Sequence, residues 1–267
     1  LNAVPADQIR RPDVQALDAR LTQLAHERRN LSEPADRPAS EAPEELEELA
    51  EPGPAPAGLA DLGTPTTLVL MRHGETALTP EKRFSGSGAD PSLSVAGRRQ
   101  AEATAAMLAA RGTVQAVVVS PLRRCRETAE AAAARLGLEV RVDEELREAD
   151  FGAWEGLRYA EVQQRYPDEL AAWLRSPTAA PSGGESLEGV ARRVALSRDK
   201  LLARYAGKTV LVVSHVVPVR QLIRLALGAP PESLFRMEIA AASVSEVAYY
   251  ANGNASVRSL NDTSHLR

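Results

Sequence analysis

The sequence has one cysteine, Cys125, in 267 residues. An intrachain disulfide and a cysteine-rich zinc site are therefore excluded. No apolar run approaches the roughly 18–20 residues that a membrane-crossing helix needs. The first residues carry charges and prolines where a secretion signal would need an apolar stretch. The expected setting is soluble and cytoplasmic. Positive charge is not in excess, since the formal net charge is −4. That argues against a chain holding nucleic acid or an anionic membrane through bulk charge, and leaves room for a local basic pocket. Asn-x-Ser/Thr triplets at Asn30, Asn254 and Asn261 read as chance without a secretion signal. What is present is 44% hydrophobic and 25% charged sequence, ample for one large domain or two small ones with a true core.

Charge and proline divide the chain at about residue 66. Residues 1–66 hold 9 of the 18 prolines, with 13 acidic and 6 basic side chains. Residues 67–267 hold 23 acidic and 26 basic ones, so an acidic extension precedes a mildly basic body. In the extension, Val14, Leu17, Leu21, Leu24 and Leu31 recur at helical spacing and predict a short amphipathic helix over 12–30. One thin apolar stripe is marginal alone, so its expected use is pairing with a partner helix or a second copy. Residues 33–66 read as a disordered Pro/Ala/Glu linker. A solvated spacer is the favoured reading, and a docking arm for a basic partner the sharper one.

The body alternates strand and helix signals. TLVLMR from Thr67 is a buried-strand pattern, and Ser94 to Arg111 a helix with Ser94 as N-cap. Val114–Ser120 reads as a strand, Arg124–Leu136 as a helix ended by Gly137, and Leu138–Val142 as a strand. Tyr159–Leu174 reads as a helix broken at Pro167, and Ser186–Tyr205 as a long helix. Thr209–Ser214 is a strand and Val219–Leu227 a helix closed by Gly228. Ser243–Tyr250 and Asn254–Leu260 flank Asn252-Gly253, a strong hairpin signal. The expectation is a three-layer α/β/α domain over 67–267, its central sheet mostly parallel with an antiparallel edge.

Ligands of open α/β sheets bind beyond the carboxyl ends of strands. The first strand runs into Arg72-His73-Gly74-Glu75-Thr76, the second into Ser120-Pro121-Leu122-Arg123-Arg124, and the fourth into Ser214-His215. The third leads to Glu144, Glu145, Arg147, Glu148 and Asp150. Two of only four histidines thus stand at strand ends beside arginines. Two histidines with arginines make a poor metal site, because guanidinium groups repel a cation. The same set suits phosphate. Arginine's fork matches its oxygens, a neutral imidazole can attack phosphorus, and a carboxyl can shuttle the proton. The plain alternative for either histidine alone is a satisfied core side chain, and for the acidic loop a solvated face.

Four motifs carry a resemblance. MRHGETALTPEKRFSGSG is similar to the Arg-His-Gly signature of the histidine phosphatase superfamily, the phosphoglycerate-mutase-like fold. SPLRRCRETA resembles its second motif, LREADFGAWEG its acid-bearing segment, VVSHVVPVR its second-histidine motif, and GGES the loop before a helix. The resemblance implies His73 as nucleophile, Arg72, Arg124 and His215 as the phosphate pocket, and Glu148 as general acid and base. It places Ser85 and Gly86 on the substrate side. It implies no metal and no cofactor, and a small-molecule phosphoester as partner. Thr79 stands where the family often has Asn and can still donate a hydrogen bond. Val216-Val217 replace the frequent Gly-Gly or Gly-Asn. That keeps the Val216 backbone N–H for phosphate and makes the wall more apolar.

The spacing of 67 between Glu148 and His215 resembles the phosphatase branch rather than the cofactor-dependent mutases. The body is most similar to the C-terminal acid phosphatase domain of actinobacterial bifunctional ribonuclease H/acid phosphatase proteins. That implies a phosphomonoesterase, with α-ribazole phosphate among its substrate candidates, and a truncated or rearranged relative lacking the ribonuclease half. A mutase-type isomerase and a non-catalytic phospholigand-binding module are the alternatives. Cys125, inside the second helix, is expected to pack rather than to do redox chemistry.

Overall fold

The computed structural model describes residues 62–88 and 90–267. The helix expected over 12–30 and the linker up to residue 61 lie outside the described residues. Four parallel strands come first; all but the third are buried over most of their length and read as near-continuous apolar runs, as parallel strands covered on both faces do. The four are β1 (Thr66–Arg72), β2 (Ala116–Val119), β3 (Val140–Val142) and β4 (Thr209–Ser214). β3 is the more exposed edge. β4 runs parallel to β1, with Thr67 opposite Thr209 and Arg72 opposite Ser214. β2 lies parallel between β4 and β3. On the other side β5 (Val244–Tyr249) runs antiparallel to β1, and β6 (Ala255–Asp262) antiparallel to β5. The sheet order is β3-β2-β4-β1-β5-β6, a mostly parallel sheet with an antiparallel edge. Gly253, at φ +87°, closes the β5–β6 hairpin, a conformation that costs glycine little.

Because strand side chains alternate between faces, each strand feeds two cores. Leu68, Leu70, Val210 and Val212 face one way. They pack against Val190 and Val194 of α5 (Leu187–Arg204) and Leu222 and Ile223 of α6 (Val216–Leu227). Val69, Met71, Leu211 and Val213 face the other way. They pack against Ala105 and Leu108 of α1 (Val95–Arg111) and Ala129 and Ala132 of α2 (Arg123–Leu136). Three layers result. The alanines let α1 and α2 pack closely onto the sheet.

Ser94, Gly137 and Gly228 cap helices as read from the sequence, and Gly112 is a further cap that the reading did not name. Ser94 Oγ accepts from Gly97 N–H, and Gly112, Gly137 and Gly228 take left-handed conformations after their helices. The expected Tyr159–Leu174 helix is two helices, α3 (Tyr159–Arg165) and α4 (Pro167–Arg175), divided where Pro167 begins the second. α6 starts three residues earlier than expected, at Val216. Proline is tolerated in a first turn, whose N–H groups lack intrahelical partners, so Pro218 does not delay it. Among the described residues no helix is long and apolar enough to cross a membrane.

Candidate active site

The β1–β4 register sets the site. Arg72 and Ser214 are opposite each other, so His73 and His215 leave the sheet together. Their ring centroids are 5.2 Å apart, edge to face, and both rings are buried. His73 Nδ1 lies 2.7 Å from the Gly74 carbonyl oxygen. A carbonyl only accepts, so Nδ1 carries the proton and Nε2 of the neutral ring keeps its lone pair. Burial holds His73 well below the ordinary imidazole range, and the Arg72 and Arg124 charges push the same way. The ring is therefore neutral.

Gly74 donates its N–H to Thr128 Oγ1 at 3.0 Å. A Cβ on Gly74 would press into the Gly97 carbonyl, and one on Gly97 into the Glu75 backbone. Two glycines thus let the histidine loop and α1 meet backbone to backbone.

His215 Nε2 is 2.7 Å from Ser120 Oγ and 3.3 Å from Cys125 Sγ. Burial lowers the His215 pKa, with Arg124 and His73 adding to the effect. Cys125 is fully buried, its thiol donates to the Ser214 carbonyl, and burial pushes its pKa up. It is a packing residue with a protonated sulfur.

Arg124, buried in α2, donates from Nη2 to the carbonyls of Ser85 (3.2 Å) and Gly86 (3.0 Å). Arg72 donates from Nη1 to the Ile239 carbonyl at 2.8 Å, while its buried Nε meets no hydrogen-bond acceptor among the described residues.

Glu148 is 4% exposed. Its carboxyl accepts from Ala149 N–H at 2.8 Å, from Val216 N–H at 3.1 Å and from Val217 N–H at 3.3 Å. The last two are free donors of the α6 N-terminus, a favourable place for a carboxylate. Burial nevertheless raises the Glu148 pKa, against the Ala149 N–H and the charges of Arg124, Arg193 and Arg72.

A cavity of about 550 Å³ opens over this cluster, within the range of small-molecule sites. Arg72, His73, Thr79, Ser85, Glu148 and Val216 line it, and so do Lys82, Arg220, Tyr159 and Trp173. Arg124 and His215 do not line it. They lie buried behind it, close enough that the Arg124 charge acts on both imidazoles. Gly86 gives its carbonyl to Arg124 and its N–H to Glu155. Thr79 Oγ1 accepts from Thr76 N–H, and the Val216 N–H is taken by Glu148. A larger groove of about 730 Å³ between α1 and α2 contains none of these residues.

The sequence reading gave no role to Arg220 or Arg193. Arg220 follows Val216 by one helical turn, so spacing alone puts it on the same face. Arg193 binds mostly backbone carbonyls, which leave no sequence pattern. Among the described residues no group of three His, Cys, Asp or Glu side chains is placed to hold a metal ion.

A neutral buried imidazole, a cup of arginines and a carboxyl held by a helix start, all beyond parallel strand ends, define an α/β protein built to handle phosphoryl groups. The chain belongs to the histidine phosphatase superfamily (branch 1), whose family model matches residues 68–263. It is 49% identical over 204 residues to the bifunctional protein Rv2228c of Mycobacterium tuberculosis, covering 76% of this chain and 56% of that one. The chain thus spans about half the length of that relative. It is 34% identical over 200 residues to phosphoserine phosphatase 1 of Hydrogenobacter thermophilus, covering 74% and 93%. Among solved structures it resembles the mycobacterial glucosyl-3-phosphoglycerate phosphatase Rv2419c. That match has 30% identity and a TM-score of 0.68, and covers 74% of this chain and all of that one.

Proposed function

We propose that residues 67–267 form a metal-independent phosphomonoesterase of small phosphorylated metabolites, working through a phosphohistidine. The Nδ1–H bond from His73 to Gly74 carries the reading, because it leaves Nε2 as a nucleophile aimed by the backbone. Nε2 attacks phosphorus, the ester P–O bond breaks, and protonated Glu148 gives its proton to the leaving oxygen. Water then attacks phosphorus, the P–N bond breaks, and Glu148 takes back a proton as inorganic phosphate forms. Arg72, Arg124 and His215 stabilise the charge on the phosphoryl oxygens. Relatives named for phosphoserine and glucosyl-3-phosphoglycerate, with α-ribazole phosphate from the sequence reading, define the first substrates to assay. A cytoplasmic setting, and pairing of the 12–30 helix with a second copy or a partner helix, belong to the same proposal.

The test is rapid quenching with a ³²P-labelled phosphoester. An acid-labile phosphoenzyme is expected in the native protein and none in His73→Ala, which also loses turnover. Full turnover in His73→Ala, or its loss to a chelator, would overturn the reading. Label passing to a second organic acceptor instead of appearing as free phosphate would make the protein a mutase.

A further inference from the structure

Arg193, in the second turn of α5, is 7% exposed and uses all five of its N–H donors. Nε and Nη2 grip the two carboxylate oxygens of Glu185 at 2.8 and 2.9 Å. Nη1 reaches the carbonyls of Glu145 (2.6 Å) and Arg147 (2.7 Å), and Nη2 that of Glu148 (3.1 Å). Three carbonyls from four consecutive residues converge on one guanidinium. The segment that bends around it, 143–150, has no strand pairing, only a short 3-10 turn over Glu144–Leu146. A fixed fork of donors here takes the place of a ladder. Glu185 precedes α5 in the Gly183-Gly184-Glu185-Ser186 loop, and its own N–H donates to the Asp150 carbonyl at 2.8 Å. It therefore holds the same segment twice, once directly and once through Arg193.

We infer that Arg193, oriented by Glu185, is the positioning residue for the proton donor. It fixes the backbone of Glu148, while the α6 N-terminus fixes the carboxyl. This rests on the reading of Glu148 as the acid. Arg193 touches neither the cavity nor the phosphoryl site, and it acts through Glu148. Lysine keeps the charge at this position but has three donors and no planar fork. It cannot satisfy the five acceptor contacts, so the segment relaxes and the acid loses its aim.

Leaving-group dependence separates a misaimed acid from a damaged fold. An alkyl phosphate needs protonation as its bond breaks, whereas 2,4-dinitrophenyl phosphate expels a stable anion and needs none. The full chain, Arg193→Lys, Glu185→Gln and Glu148→Gln are compared on both esters by kcat/KM. Arg193→Lys is expected to lose about 100-fold on the alkyl ester, the scale of general acid catalysis, and at least tenfold less on the dinitrophenyl ester. Glu185→Gln is expected to show a smaller loss of the same kind, and it carries the test if Arg193→Lys does not fold. Equal losses on both esters in both variants, beside a steep dependence in Glu148→Gln, would overturn the inference and leave the phosphatase reading standing. Equal losses in Glu148→Gln itself would overturn the assignment of the acid, and the inference with it.

Discussion

At the scale of single residues, two groups are held in opposite states. His73 is kept neutral by burial and two arginines, and Glu148 is pushed toward its protonated form by burial. In the proposed mechanism attack needs a bare Nε2 and departure needs a proton on Glu148, and both shifts run in the direction that step requires. The sign of the pH dependence follows. A depressed His73 stays competent far into acid, so the acid limb lies low. A raised Glu148 keeps its proton above the usual carboxylate range and loses it as pH rises further. On an alkyl phosphate, kcat/KM is expected to be highest in acid and to fall through the Glu148 transition. Glu148→Gln should remove that alkaline limb and sit about 10²–10⁴-fold lower. A profile that climbs into alkali would contradict the assignment. Both histidines were legible in the sequence because apolar strand patterns stop immediately before them. Arg193 was not. Its partners are carbonyls and one glutamate eight residues back, and neither makes a periodic signal.

At the scale of elements, the contact between the histidine loop and α1 shows which effect wins at a helical glycine. Alanine normally favours a helix over glycine by roughly 1 kcal/mol. At Gly97 its Cβ would collide with the Glu75 backbone, which has no soft side chain to move. Gly97→Ala is therefore expected to destabilise the protein by about 1–3 kcal/mol net, read as a lower urea midpoint at unchanged m-value. A gain in stability would show that the loop can retreat. The strands and capped helices were readable from apolar runs, from Ser94 and from Gly137. Boundaries failed where a residue serves two elements. Leu138 looks like the start of a strand, but its N–H caps α2 on the Ala133 carbonyl at 3.1 Å, so β3 begins only at Val140. Pro218 looks like a break, yet it sits in a turn that needs none of its missing hydrogen.

At the scale of the molecule, a mostly parallel sheet with an antiparallel edge could be foreseen because strand and helix signals alternate along the body and Asn252-Gly253 marks a final hairpin. The division near residue 66 rests on proline and charge alone. Every residue assigned to the chemistry lies between Arg72 and His215, and both cores close among the described residues. Removing residues 1–61 is therefore expected to leave kcat/KM unchanged and, if the 12–30 helix pairs copies, to turn a dimer into a monomer by light scattering. A fall in turnover would place the extension in the catalytic unit. The pairing of β1 with β4 and β5 has a consequence for how the protein is made. His215 is synthesised 142 positions after His73, and the strand that carries the first histidine finds no neighbour in the sheet until then. A chain still on the ribosome, or one released too early, bears a lone imidazole with no facing ring and no helix start to hold the acid. Copies cut short before β4 and the α6 start are expected to be catalytically silent, so hydrolysis begins only once synthesis has passed residue 217.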